Sequence, residues 1–441
     1  MAKPHFNKHP IEFVLRLFAD VRAGEAPTAL LLTLNVFLLL TAYYLLKVAR
    51  EPLILVGGGA EVKSYTSVGQ SILLIGVTSV YSWLASRVGR MALAAWVTMF
   101  FVACLVVFWL LGSRGVPLGI PFFLWVGIFN VTMVAQFWSF AADVYTDERG
   151  KRLFPIIGVG SSVGAVAGAW TADLLLSLGP FRLMIIAAGV LLGCLALTVA
   201  VHRREGIASA QKQDHTDDRD TPIHGKNGFA LIMRDRYLLV FAALIFVLNW
   251  VTKTGDYVLD RDLIAAAHDA ARATGIKPAV FIGEFKAHYF EWVNGVGVVM
   301  QLFVVSRIIK YLGMRAALVI MPIASVVGYS SAFAVPLLSV LFVARVSESS
   351  LDYSLSNTTR QALWLVTARD IKFKAKQVID TFVVRIGDAM SAALVWIGVH
   401  TAMKPHTFIG INVALSAVWL ALAFALGSSY KRVSAACHSP R

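Results

Sequence analysis

FWSFAADVYTDERGKRLFPIIGVGSS, residues 137–162, leaves a deeply apolar run through Asp147-Glu148-Arg149-Gly150-Lys151-Arg152. It then re-enters one at Phe154-Pro155-Ile156-Ile157-Gly158. A polar hinge this short joins two segments that are each long enough to cross a bilayer. Arg and Lys at such a hinge hold the helix ends in the headgroup region and keep the loop on the cytoplasmic side. Beyond it, Gly158, Gly160, Ser161, Ser162, Gly164, Ala165, Ala167 and Gly168 form a ladder of small residues, which lets helices approach closely. Neither a strand–loop–helix pattern nor GxGxxG accompanies it, so packing is preferred over a phosphate loop.

The rest of the chain repeats this pattern. Its 441 residues are 58% hydrophobic and only 15% charged, with a mean hydropathy of +0.70. A soluble domain of this size has no interior large enough for that much apolar surface. Runs of about 20 apolar residues, enough to span a ~30 Å hydrocarbon core, occur near 28–54, 65–86, 92–112, 119–145, 153–178, 180–202, 237–258, 286–308, 313–335, 336–366, 378–402 and 407–429. Lipid offers the backbone no hydrogen bonds, so each must be a helix. The expected fold is an all-α membrane protein of about 12 transmembrane helices.

Placing both termini in the cytoplasm puts most Lys and Arg of the connections on the cytoplasmic side, including Arg87, Arg90, Arg149, Lys151, Arg152, Arg307, Lys310, Arg315, Lys431 and Arg432. The chain is therefore expected to be a multi-pass protein of the cell (inner) membrane. Insertion accounts for most of the +14 net charge, and nucleic acid is not an expected partner. Cys104, Cys194 and Cys437 are scattered, without disulfide or metal-ligand spacing. The first 26 residues are polar and carry no cleavage pattern. Ile11, Val14, Leu15, Phe18 and Val21 share one face, as in an interfacial helix.

The polar stretch 203–228 divides the apolar segments six and six. The connection Leu84-Ala85-Ser86-Arg87-Val88-Gly89-Arg90 is echoed by Val305-Ser306-Arg307 with Lys310, Gly313 and Arg315. The hinge at 147–152 is echoed by Arg369-Asp370-Ile371-Lys372-Phe373-Lys374-Ala375-Lys376. Same-sense repeats of six point to two bundles related by an axis along the membrane normal, the major facilitator-like architecture. The expected organisation is an N-terminal interfacial helix over 1–27, a six-helix bundle over 28–202, a cytoplasmic linker over 203–228, a second bundle over 229–430 and a cytoplasmic tail over 431–441. In such a protein Asp147, Glu148 and Asp370 pair with Lys151, Arg152, Lys374 and Lys376, or with bases of the other half, as gates that break when the bundles rock. Plain topology signalling fits the same residues.

Ionisable side chains at membrane depth are costly and mark function. The first segment carries Lys47, Arg50 and Glu51, and the seventh carries Lys253 and Asp256. The tenth carries Arg345, Glu348, Asp352 and Arg360, and the eleventh carries Asp380, Arg385 and Asp388. Interleaved with Asn249, Trp250, Tyr353 and Asn357, the bases suit an anionic, partly aromatic solute. Arg and Lys take phosphate or carboxylate oxygens, and aromatic faces stack on planar rings. Candidate substrate-binding residues are Lys47, Arg50, Asn249, Lys253, Tyr353, Asn357, Arg360 and Arg385. Ion pairs that only hold helices together are the alternative, and Lys47–Glu51 and Arg345–Glu348 are spaced for that.

At these residues the chain resembles the non-mitochondrial ATP/ADP translocases, the nucleotide transporters of plastids and intracellular bacteria. Phe137-Trp138-Ser139-Phe140-Ala141 with Asp147-Glu148 and Lys151-Arg152-Leu153-Phe154-Pro155 is similar to that family's FWGFAN…DEAKRFYPLFG. Leu46-Lys47-Val48-Ala49-Arg50-Glu51 stands at its LRxxKD, and Phe281-Ile282-Gly283-Glu284-Phe285 resembles its FMGDF. Tyr353-Ser354-Leu355 with Thr359-Arg360-Gln361 resembles YSLFDPTKE, and Lys372-Phe373-Lys374-Ala375-Lys376 with Ile379-Asp380 resembles KVKGKAAID. The resemblance implies alternating-access transport of nucleotides and no cofactor. Family acids of the fourth and seventh segments fall on Val126 and Thr252, and Asp352, Asn357 and Gln361 replace Lys, Asp and Glu of the family pattern.

The expected function is transport of a nucleotide or related phosphorylated anion across the lipid bilayer. A non-nucleotide organic anion is the alternative, as is a membrane scaffold or sensor that no longer transports. No Ser-His-Asp order, metal cluster or Walker motif points to an enzyme, and the sequence leaves the oligomeric state open.

Overall fold

The computed structural model describes residues 25–85, 87–145, 147–209, 228–364, 367, 375–376 and 378–438. The interfacial helix expected near the N-terminus, most of the linker, and Asp370 and Lys374 of the second hinge lie outside these residues.

The described residues form helices and no strand. In chain order these are α1 (Ala26–Ala85), α2 (Arg90–Ser113), α3 (Gly119–Val144), α4 (Asp147–Leu175), α5 (Pro180–Ser209), α6 (Gly228–Arg234), α7 (Arg236–Thr274), α8 (Pro278–Val299), α9 (Gly313–Ala334), α10 (Leu338–Leu351), α11 (Asn357–Leu363), α12 (Val384–His400) and α13 (Pro405–His438). Among the described residues, nine helical stretches are long and apolar enough to cross a membrane. Two of them, Ala26–Tyr81 and Pro278–Ala334, have 56 and 57 residues. At 1.5 Å per residue each would run about 85 Å if straight, far beyond a ~30 Å hydrocarbon core. Both are interrupted at a glycine with positive φ, Gly59 (φ 76°) and Gly313 (φ 79°), where a side chain would oppose the turn. Residues 338–363 hold Arg345, Glu348, Asp352 and Arg360, and so fall outside a count made on hydropathy.

Two boundaries differ from expectation. α5 runs to Ser209, past 202, and Glu205 on this extension accepts the Thr28 hydroxyl at 2.7 Å. α13 runs to His438, so most of the expected tail is helix.

By its contacts the chain divides into two compact units. One comprises Met1–Leu53, Ile72–Asp217 and Gly283–Glu291, and the other Ile54–Ser71, Asp218–Ile282 and Trp292–Arg441. This corrects the division at 28–202 and 229–430, because two short segments change sides. Ile54–Ser71 joins the second unit through Glu61, which accepts from Tyr257 at 3.1 Å, and Lys63, which pairs with Asp260 at 2.6 Å. Gly283–Glu291 joins the first through Phe290, edge-on to Tyr44 at 6.0 Å.

In the first unit the small-residue ladder of α4 lies on α1. Gly160, Gly164 and Gly168 face Thr33, Phe37 and Thr41 in register, and a methyl at Gly164 would lie 2.8 Å from the Phe37 Cα. The spacing of four on both helices brings backbone against backbone, and Thr41 adds a hydrogen bond to the Gly164 carbonyl at 3.2 Å.

Candidate functional site

In the first unit, one stretch of α1 carries the charges. Arg50 donates to Glu51 through Nη2 at 2.6 Å and Nε at 3.2 Å, and its guanidinium lies 4.2 Å over the Phe123 ring. Glu51 is 1% exposed. The carboxylate that four-residue spacing offered to Lys47 also takes the neighbouring guanidinium. Lys47, 8% exposed, sets its ammonium 4.1 Å from the Phe290 ring and 4.8 Å from that of Tyr44. Aromatic faces stabilise a cation where water is scarce.

The hinge resolves in part. Asp147, Glu148 and Lys151 occupy the first turn of α4. Arg152 donates to both oxygens of Glu25 at 3.1 and 3.2 Å, and Arg149 lies 3.3 Å from the same carboxylate. Arg152, expected as a gate, is thus held by an acid just before α1 in its own unit. Glu25 escaped the sequence reading because it stands alone, at the edge of the first apolar segment.

In the second unit the remaining charges also stand beside acids. Lys253 and Asp256 on α7 are 3.9 Å apart. Asp256 also accepts from Arg345 of α10 at 2.5 Å, and Arg345 pairs with Glu348 one turn on. Arg345 and Glu348 are both 1% exposed. Tyr329 of α9 donates to Glu348 at 2.6 Å, and Thr252 lies 3.4 Å from its other oxygen. Three helices therefore meet in one charge-balanced cluster, the condition under which buried charges persist. Gly255 leaves room for it, since a methyl there would lie 3.1 Å from Arg345 and closer still to the Tyr329 hydroxyl. Tyr329 went unnoticed in the sequence, where its polar end is hidden within an apolar run.

Arg360 on α11 reaches back two turns to Asp352 at 3.0 Å. Asp352 opens a π-helical turn, Asp352–Ser356, that also presents the exposed Tyr353. Such turns are rare and concentrate at functional sites. Three others occur among the described residues, Met300–Val304, Ile308–Leu312 and Ile379–Val383, and the last carries Asp380. Asn357 is exposed, and Lys376 donates to Gln361 at 2.8 Å. Arg385 on α12 donates to Asp388 at 3.3 Å and to Ser71 at 3.0 Å. Asn249 donates to its own helix at the Ile245 carbonyl, 2.7 Å away, and backs against Gly387 of α12.

Arg50, Lys253, Arg360 and Arg385, expected to give a positive lining, each have a carboxylate beside them. Charge at membrane depth is expensive, and these acids offset it.

No family model matches the sequence. Over 349 residues, 69% of the chain, it is 20% identical to ADP,ATP carrier protein 1 of Chlamydia pneumoniae. Over 353 residues, 70% of the chain, it is 23% identical to that of Chlamydia muridarum (strain MoPn / Nigg). The matched regions cover 66% and 64% of those carriers, just under two-thirds of their length. Among solved structures the chain is similar to the nucleoside transporter NupG (TM-score 0.65, 12% identity, 92% of this chain and 99% of that one). It is also similar to a bacterial homologue of the iron transporter ferroportin in an inward-facing state (TM-score 0.62, 12% identity, 91% and 99%). A peptide transporter POT in complex with sulfate matches with TM-score 0.62 at 12% identity, over 96% and 98%. These likenesses are of fold, and they bear out the all-α, major facilitator-like membrane architecture expected from the sequence.

Proposed function

We propose that this chain is a divergent relative of the ADP,ATP carriers that moves a nucleotide or closely related phosphorylated anion across the membrane by alternating access. It makes no covalent bond and needs no cofactor. Counting Ala26–Tyr81 and Pro278–Ala334 as two crossings each and 338–363 as one, the chain crosses twelve times. Both termini are cytoplasmic and the membrane is the cell's inner one.

The observation that carries this is the pairing of Arg50, Lys253, Arg360 and Arg385 with Glu51, Asp256, Asp352 and Asp388. A base held by an acid is an anion site that stays near neutral until an anion competes for it. Arriving phosphate oxygens take the guanidinium or ammonium, and the displaced carboxylate recovers it on release. The exposed Tyr353 beside Asp352 supplies aromatic surface for a base ring. Where the family resemblance places an acid at Thr252, the Glu348 carboxylate lies 3.4 Å from the Thr252 hydroxyl. The acid is supplied from α10 in place of α7.

A second possibility, a non-nucleotide organic anion, is favoured by Val126. The family resemblance puts an acid there, and here the position is apolar and fully buried. Uptake of labelled ATP, ADP and small carboxylates into proteoliposomes, with and without internal nucleotide, separates the two. Nucleotide-stimulated nucleotide uptake supports the first. Uptake of carboxylates alone assigns the second, and no uptake of any anion removes both.

A further inference from the structure

We propose that the second unit carries a binding groove for one anionic phospholipid, with an acyl chain between α9 and α13 and its phosphate at Arg315. Leu312, Ala316, Val319, Ile320 and Ile323 on one side and Ala423 and Phe424 on the other bound a groove of about 430 Å³, with Arg315 at one end. That volume lies within the ~300–1,000 Å³ common for small-ligand sites.

The α9 positions recur at three and four residues, so they form a single stripe on that helix. From Ala316 to Ile323 the stripe runs about 10 Å at 1.5 Å per residue. One leaflet of a ~30 Å hydrocarbon core is about 15 Å deep. The stripe therefore covers about two-thirds of one leaflet, an apolar wall for the upper part of an acyl chain whose headgroup sits at Arg315. A soluble nucleotide has no use for so long an apolar wall, and an acyl chain does.

The polar end has matching chemistry. Arg315 is exposed and anchored by a hydrogen bond from Nη2 to Ser428 Oγ at 3.1 Å. Lys431 and Arg432, a turn further along α13, are exposed, as are Arg307 and Lys310 just before α9. The sequence contains no Asp or Glu from Trp292 to Ser347, nor after Asp388. The two segments that form this rim carry no acid of their own, unlike the segments that hold the paired bases at membrane depth. Tyr311, 73% exposed, and Leu312, 63% exposed, stand at its edge, and the Lys310 ammonium lies 5.3 Å from the Tyr311 ring. Basic clusters at helix ends with an aromatic beside them recognise anionic headgroups.

The test is native mass spectrometry of the full chain released from nanodiscs of equal phosphatidylglycerol and phosphatidylcholine with identical acyl chains. Retained phosphatidylglycerol should exceed phosphatidylcholine several-fold. Lys310→Gln with Lys431→Gln, both at exposed positions that fold does not depend on, should lower that preference, by about fivefold per base. Arg315→Gln should lower it and Arg315→Lys preserve it. Ala316→Phe, which fills the groove, should reduce retention of both lipids. Equal retention of the two lipids by the parent, or a preference unchanged in the Lys310/Lys431 and Arg315→Gln variants, overturns the proposal. So does displacement of the lipid by inorganic phosphate, which would reassign Arg315 to a soluble anion.

Discussion

Arg50 and Glu51, adjacent on α1, form a 2.6 Å ion pair at membrane depth beneath the ring of Phe123. Adjacent residues on a helix diverge by about 100°, so the pair closes only because the long guanidinium folds back across the aromatic face. If this pair is an anion site, Arg50→Gln removes a charge-assisted contact of roughly 1.5–3 kcal/mol. Binding of ATP, measured by titration calorimetry, should weaken about tenfold or more. Arg360→Gln should behave alike, and unchanged affinity in both variants would refute the anion reading.

Glu51→Gln should act in the opposite sense on binding. The guanidinium keeps its charge and loses its resident acid, so ATP binds more tightly. Release then slows, because no carboxylate competes for Arg50. Proteoliposome exchange at saturating ATP should fall while affinity rises, and a parallel loss of both would mean that Glu51 itself contacts the solute.

Arg345 bridges Asp256 and Glu348 from a fully buried position. Arg345→Met leaves Glu348 without a counter-charge and should cost about 3–5 kcal/mol. Arg345→Met with Glu348→Met removes both and should recover a large part of it. Thermal unfolding in detergent reads the difference, and equal loss in the two variants would show that the cluster is not held by charge balance.

Gly164 and Gly158 sit one and a half turns apart on α4 with opposite expectations. Gly164→Ala drives a methyl toward the Phe37 backbone, which cannot yield, and should destabilise by about 1–3 kcal/mol. Gly158 has open space around it, so Gly158→Ala should be neutral or stabilising by up to about 1 kcal/mol from helix propensity. Similar unfolding temperatures for the two would remove the close α1–α4 contact.

The hinge offers a conformational test. If Asp147 and Glu148 close a cytoplasmic gate, reversing both to Lys should raise the reactivity of cysteines introduced on the cytoplasmic side. Reactivity equal to the parent would leave the hinge with topology signalling alone.

The helical membrane fold and the close-packed glycine stripe were both legible in the chain. Each depends on a property that runs along it: whether a stretch is long and apolar enough to span lipid, and whether small residues recur every four. Gly160, Gly164 and Gly168 could be picked out as a packing face before their partner was known. The ends of the helices were not legible in this way. Ile54–Ser71 leaves its expected bundle because Glu61 and Lys63 find Tyr257 and Asp260, a choice no local pattern encodes.

Which base would be costly at membrane depth was equally plain from the sequence, and so was a partner one turn away, as Arg345 with Glu348 shows, but a partner from another element was not. Glu51, which spacing offered to Lys47, holds the adjacent Arg50. Arg152 found Glu25 across 127 positions, and Arg345 found Asp256 across 89. The sequence determined that these charges had to be neutralised, because lipid penalises any that are not. Only the tertiary structure decided by which acid, since that depends on the distance and burial of groups brought together by packing.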